Sequence, residues 1–256
     1  MHMLNSHCAI DRDARGVVRL TICNAGSLNI LGSSVNKALC EGLGVLAAEP
    51  QIRVLVIAGQ GEKSMIGGAD IKEMAKLDQA SAEKFITGLR DLCEAVRSFP
   101  CPVIARMPGW CLGGGLEVAA ACDFRIAARE AKFGMPEVRV GIPSVIHAAL
   151  LPRLIGWGRA RWLVMTGEII DAPTALAWGL VDVVAPQGEL DGAVEQTVAA
   201  LMKCGPVALR SQKALLRQWE ELPLTESVNL SIAAFGRSFL TDEPKRMMQA
   251  FIDRKR

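Results

Sequence analysis

Residues 101–117, Cys101-Pro102-Val103-Ile104-Ala105-Arg106-Met107-Pro108-Gly109-Trp110-Cys111-Leu112-Gly113-Gly114-Gly115-Leu116-Glu117, join two patterns whose order decides the fold. Cys101 to Ala105 reads as a short buried strand. Pro108-Gly109 breaks the run, and three consecutive glycines open a helix over 116–121. Phe124 to Ala127 is again strand-like. Working back toward the N-terminus, Ala80 to Phe99 has helical spacing, and Arg53-Val54-Leu55-Val56-Ile57-Ala58 breaks at Gly59-Gln60-Gly61 like a strand buried on both faces. Ser33 to Ala48 is helical behind a Ser-Ser start that could cap it, with Pro50 as its stop. After a polar entry, Val17 to Ile22 alternates as an early strand. Short buried strands alternating with helices mean an α/β fold. From Gly188 the strands stop, and helical patterns follow at about 189–203, 206–219, 224–239 and 243–254. The chain divides into a core over 1–190 that carries the site and a helical region over 191–256 suited to subunit packing and to closing the site. No internal repeat holds a fixed period.

Half of the 256 residues are hydrophobic and 22% are charged, which places the chain among ordinary globular proteins and excludes a disordered or fibrous one. Its 29 basic and 27 acidic residues are mixed along the sequence and leave a formal charge of only +2. No strong field recruits nucleic acid or an anionic membrane, and a small or locally charged ligand fits better. The eight cysteines lie far apart, with no CxxC pair and no zinc-like Cys/His spacing, and read as reduced, buried thiols. No uncharged apolar run reaches the ~18–20 residues that would span a bilayer. A cytoplasmic setting is the expectation.

Three segments could carry chemistry. Lys63 to Lys72 follows the 53–58 strand and contains Gly67-Gly68-Ala69-Asp70-Ile71, a turn whose glycines allow a ligand to approach the backbone and whose helix start offers unpaired N–H donors. A tight turn capped by Asp70 is the more ordinary reading of this segment taken alone. Pro108 to Glu117 is the second. It lacks the Lys-Ser/Thr of a P-loop and is not GxGxxG, which disfavours nucleotide cleavage. Glu117 falls in the first turn of an otherwise apolar helix, where the helix dipole favours an acid, yet the near absence of other polar residues points it into a cleft. In the third, Ala131 to Pro143, Glu137 follows Pro136 in a Gly/Pro-punctuated loop, where an exposed glutamate is the ordinary reading. His147 lies on the apolar helical face Val145 to Leu150 and reads as a packing histidine. No GxSxG occurs, so a hydrolytic triad is disfavoured. Lys245-Arg246 and Arg254-Lys255-Arg256 could meet phosphates, with a solvated helix end as the default reading.

Taken together in this order, the three segments resemble the crotonase (enoyl-CoA hydratase/isomerase) superfamily, from about residue 16 to the end. Gly67-Gly68-Ala69-Asp70-Ile71 is similar to the family's first oxyanion-hole segment, and Gly113-Gly114-Gly115 with Glu117 to its second. Lesser matches are Ser27-Leu28-Asn29 and Ala177 to Asp182. The resemblance implies a spiral of repeated β-β-α turns with a helical C-terminal region. It implies N–H donors from Gly67 and Gly114, and a substrate site that includes Leu28, Gly67, Gly68, Ala69, Asp70, Ile71, Gly113, Gly114 and Pro136. It also implies an acyl-CoA thioester as substrate, with coenzyme A as its only cofactor-like part and no metal, and a homotrimer or dimer of trimers. Glu117 would orient and deprotonate a water, and Glu137 would exchange the proton at C2.

Both acids are present, which favours hydration of a 2-enoyl-CoA. Double-bond isomerisation, hydrolysis or decarboxylation on the same scaffold, and a non-catalytic acyl-CoA-binding protein, are the alternatives. Where many hydratases continue with Pro-Gly-x-Gly-Gly-Thr, this chain has Pro143-Ser144-Val145-Ile146-His147-Ala148-Ala149-Leu150. Together with Met65-Ile66, that departure leaves the acyl group open to branched, aromatic or otherwise unusual chains.

Overall fold

The computed structural model describes residues 2–253. Among these, the chain forms strands β1 (His2–Met3), β2 (Cys8–Arg12), β3 (Val17–Ile22), β4 (Val54–Gly59), β5 (Ser64–Ile66), β6 (Val103–Met107), β7 (Trp110–Leu112), β8 (Phe124–Ala128), β9 (Lys132–Gly134), β10 (Ile169–Asp171) and β11 (Val183–Ala185). The helices are α1 (Ser33–Ala47), α2 (Ile71–Met74), α3 (Gln79–Arg97), α4 (Gly114–Ala121), α5 (Leu151–Thr166), α6 (Ala172–Trp178), α7 (Leu190–Met202), α8 (Pro206–Glu221), α9 (Leu224–Ser238) and α10 (Glu243–Asp253). Two 3-10 turns, Pro136–Val140 and Ile146–Leu150, lead into α5.

The strands sort into a seven-stranded sheet, β1-β2-β3-β4-β6-β8-β11, and a four-stranded sheet, β10-β9-β7-β5. From β3 to β11 the large sheet is parallel, and so are β5, β7 and β9 in the small one. The chain therefore winds as a spiral. Each turn lays one strand in the large sheet (β4, β6, β8), the next in the small sheet (β5, β7, β9), and then runs into a helix or 3-10 turn. This is the expected α/β spiral of β-β-α turns. The turns start at Val54, Val103 and Phe124, and that unequal spacing is why no fixed period marks the repeat in the sequence. The second strand of each turn is only three residues long, too short for a hydrophobic alternation to declare itself.

Alternation along the central strands divides the core. Leu55, Ile57, Val103 and Ala105 enter the main cluster, while Val54, Val56, Ile104 and Ile126 enter a second one closed by Leu190, Val194 and Val198 of α7. The first tail helix is thus a layer on the large sheet. Each such fully buried Leu, Ile or Val side chain contributes roughly 1.5–3 kcal/mol. The N-terminal stretch expected as a polar entry instead forms β1 and β2, an antiparallel edge on β3. Its Cys8-Ala9-Ile10 is buried in a row before the exposed Asp11-Arg12, a pattern without period two.

Helix α1 is not capped by its own serines. Its N-cap is Gly32, and the Glu73 carboxylate of α2 accepts from the Ser33 N–H at 3.0 Å and from the Ser33 hydroxyl. Helix α8 is docked by polar contacts: buried Lys213 Nζ lies 2.6 Å from Asp123 Oδ2 and donates to the Cys101 carbonyl, and Arg217 pairs with Glu94 of α3. The last two helices and the turn between them expose apolar side chains, among them Ile232, Phe235, Leu240 and Phe251. Cys8, Cys23, Cys93, Cys101, Cys111 and Cys122 are buried free thiols and Cys40 is half-buried. Cys204 is exposed, contrary to expectation. Lys245 and Arg246 are exposed on the first turn of α10, and Arg254-Lys255-Arg256 lie outside the described residues. No helix among the described residues is long and apolar enough to cross a membrane.

Candidate active site

Strands β5, β7 and β9 run parallel and adjacent, with Ile66 opposite Cys111 and Leu112 opposite Gly134, so their C-terminal ends emerge side by side. The chain leaving each end carries one of the three segments: Gly67 to Asp70, Gly113 to Glu117, and Met135 to Glu137. Carboxyl ends of parallel strands suit a ligand because backbone amides and helix starts face outward there. Gly113 is the pivot. Its N–H donates to the Gly134 carbonyl at 2.9 Å, and it adopts φ +51° and ψ −124°. A Cβ at Gly113 would sit 2.6 Å from Glu137 Oε1, so only glycine fits both the backbone conformation and the close carboxyl.

The first expected donor is corrected by the backbone. The Gly67 N–H already donates to the Leu28 carbonyl at 2.7 Å and is not free for a ligand. The turn is pinned there because Asn29, buried, bonds through its side chain to the Gln60 N–H and the Gln60 and Ser64 carbonyls, which fixes the Leu28 loop. The next two amides, Gly68 and Ala69, meet no acceptor among the described residues, whereas the Gly68 carbonyl and the Asp70 N–H are tied to Leu31. Gly68 holds φ +125°, a conformation that L side chains rarely adopt. At the second segment the Gly113 carbonyl takes the N–H groups of Leu116 and Glu117, and the Gly114 N–H at the start of α4 meets no acceptor among the described residues. The two strand exits therefore present Gly68/Ala69 and Gly114 as free donors. Asp70 accepts from the Lys72 and Glu73 N–H groups as the cap of α2, so its carboxylate is engaged in the fold. Ile71 is exposed, Leu28 is partly exposed, and Pro136 starts the 3-10 turn that carries Glu137.

Glu117 is only 3% exposed, and its Oε1 accepts the Ala148 N–H at 2.9 Å. Burial pushes its carboxyl up to about 8; the Ala148 N–H opposes that rise and the nearby Glu137 adds to it. Glu137, expected from sequence as an exposed side chain, is half-buried, and Ser144 Oγ donates to its Oε2 at 2.8 Å. Burial raises it too, against its own backbone N–H and the Ser144 hydroxyl. Glu117 is the more deeply buried and is the last of the pair to ionise. Two interacting carboxyls with different burial can hold one proton between them near neutrality, which equips one as acid and the other as base.

A sequence profile described as Enoyl-CoA hydratase/isomerase matches residues 12–256. The chain belongs to the enoyl-CoA hydratase/isomerase family. Among its relatives, a crotonyl-CoA hydratase from Syntrophomonas wolfei is 34% identical over 231 residues, covering 90% of this chain and 89% of that protein. A short-chain-enoyl-CoA hydratase from Clostridium acetobutylicum is 33% identical, covering 94% and 92%. The solved enoyl-CoA hydratase of Bacillus anthracis superposes with a TM-score of 0.92 at 31% identity over 97% of both chains.

Family membership gives the Glu117 and Glu137 geometry its context, but three features of the site escaped sequence reasoning. Ser144 was visible only as a departure from the glycine-rich pattern, and its seven-residue separation from Glu137 suggested no contact. The Ala148 amide that holds Glu117 is backbone and has no sequence signature. Ile146–Leu150 form a 3-10 turn instead of a helix face, and His147 in it is buried with Nε2 2.8 Å from Glu94 Oε1 while its buried Nδ1 meets no partner among the described residues. It is therefore only half satisfied as a packing histidine.

Proposed function

We propose that this chain is an enoyl-CoA hydratase, adding water reversibly across the C2=C3 bond of a 2-enoyl-CoA thioester. The observation that carries the reading is the pair of interacting carboxyls, buried Glu117 and half-buried Glu137, standing at adjoining strand ends beside amides that meet no acceptor among the described residues. The Gly68/Ala69 and Gly114 amides would receive the thioester oxygen as it gains charge, and preorganised donors of this kind are worth about 10²–10³ in rate each. In the hydration direction Glu117, ionised, takes a proton from water as the water oxygen bonds to C3. The electron pair of the double bond passes through C2 to the thioester oxygen, and protonated Glu137 then delivers its proton to C2. One proton leaves water and one reaches carbon, so the pair ends with its single proton on Glu117. That end state is the one favoured by burial in the free site, so each hydration begins with the shared proton passing from Glu117 to Glu137, and in the reverse direction Glu117 protonates the departing hydroxyl while Glu137 removes the C2 proton.

Coenzyme A takes part only as a portion of the substrate, and the steps above move protons and an oxygen without a redox or metal partner. The exposed apolar side chains of α9 and α10 support assembly as a homotrimer or a dimer of trimers, which light scattering would measure. The chemistry is tested by running hydration in deuterium oxide. The 3-hydroxyacyl product should carry one deuterium at C2, and Glu137→Gln should suppress that incorporation. Products formed without solvent hydrogen at C2 would exclude the assignment of Glu137.

A further inference from the structure

The turn that holds Glu117 is strained and clamped from behind. Ile146 adopts φ +40°, a left-handed conformation in which a β-branched residue is an outlier. Such a conformation persists only where the surroundings over-determine it. On one side of it the Ala148 N–H donates to Glu117 Oε1. On the other, the His147 ring is 7% exposed and reaches Glu94 on α3, with Nε2 2.8 Å from Oε1. Glu94 is itself held by Arg97 Nη1 at 3.0 Å on α3 and by Arg217 Nη2 at 3.0 Å from α8. The carboxylate acceptor fixes the neutral imidazole tautomer with the proton on Nε2, and the buried Nδ1 meets no partner among the described residues. A ring placed only to fill space would not need its one bond to run to a charged group on another helix.

We propose that His147 is a positioning residue: its bond to Glu94 holds the strained Ile146–Ala148 turn so that the Ala148 N–H stays aimed at Glu117, and Arg217 links that clamp to the tail helix α8. The groups facing the imidazole are Glu94 and Arg97 on α3 and Arg217 on α8. Burial lowers its basicity, Glu94 opposes this and the two arginines add to it, so the ring is neutral where Glu117 titrates. The proposal rests on the hydratase reading for its kinetic assay alone.

The test compares His147→Leu, His147→Gln and Glu94→Gln in the intact assembly. Leu removes the donor, whereas the Gln side-chain amide can still donate to Glu94. His147→Leu should lower kcat by about tenfold to a hundredfold, the scale of a displaced catalytic group, with KM changed by less than about threefold. His147→Gln should restore most of the loss. Because the Ala148 N–H lowers the Glu117 pKa, loosening it should also move the alkaline limb of kcat/KM to higher pH. The Glu117 titration is followed separately by pH-difference infrared spectroscopy of the carboxyl band, with Glu117→Gln for assignment, so the proposal is tested even if no acyl-CoA is hydrated. Glu94→Gln reaches the same clamp from α3 and should shift the band in the same direction if a His147 variant does not fold. Equal kcat losses in the Leu and Gln variants, or a Glu117 titration unmoved in both His147→Leu and Glu94→Gln, would overturn the assignment.

Discussion

Replacing Glu117 by Gln should stabilise the protein, and the gain should depend on pH. Folding moves this carboxyl from an ordinary value of 4.5 to about 8 because the folded chain buries it on α4 with a single N–H partner. The folded state therefore holds the proton more tightly than the unfolded chain. Stability is complete below pH 4.5, where both forms are protonated, and is lost as pH rises toward 8. A difference of about 3.5 units at 1.36 kcal/mol each gives a penalty of ~5 kcal/mol above pH 8, and about 3 kcal/mol at pH 7 where the folded carboxyl is still mostly protonated. Gln keeps the shape, keeps an oxygen for the Ala148 N–H, and cannot ionise. Thermal melts of both proteins from pH 5 to pH 9, at one protein concentration, should nearly coincide at the acid end and separate by on the order of 10 °C at the alkaline end. Parallel curves across the range, or a less stable Gln variant at pH 8, would refute the burial argument.

The same pair sets the activity profile: kcat/KM should fall on the acid side as Glu137 takes a second proton and on the alkaline side near pH 8 as Glu117 loses the one the pair needs. A profile flat from pH 7 to pH 10 would contradict it. Gly113→Ala adds a methyl 2.6 Å from Glu137 Oε1 at φ +51°, and turnover should drop at least tenfold with some loss of stability, read by kinetics and melting together. Lys213→Ala leaves Asp123 without its buried cation, and because Asp123 is partly exposed the cost should be about 2–3 kcal/mol in urea unfolding, with faster proteolysis around α8. Unchanged unfolding would show that the pair does not dock the helix.

What could be read from the sequence was whatever leaves a periodic or punctuated trace. The fully buried Val54 to Ala58 run, the amphipathic 80–99 helix and the tail helices were legible because long regular elements repeat their pattern several times. Glu117 stood out because it is the one acid of an apolar helix behind a glycine-punctuated strand exit, whereas Glu137 read alone as an ordinary exposed glutamate and was singled out only by the family resemblance. The three-residue strands β5, β7 and β9 were not legible, since three residues hold no alternation. Their pairing is what brings the segments together, so the site's geometry was beyond the sequence even where its residues were named. The donor at Gly67 failed for a related reason: which amide is free depends on the Leu28 carbonyl, held in place by Asn29 nearly forty residues away in the chain. His147 read as core because its apolar neighbours are visible in the chain and its partner Glu94 is not.

Hydration by the Glu117–Glu137 pair is measured by following the conjugated-thioester ultraviolet absorbance of a panel of 2-enoyl-CoAs, straight, branched and aromatic, with products identified by mass. Absorbance should fall as the product gains one water, and Glu117→Gln and Glu137→Gln should each slow this by about 10²–10⁴. Tight binding of the CoA esters with no water gained from any acyl group would contradict it.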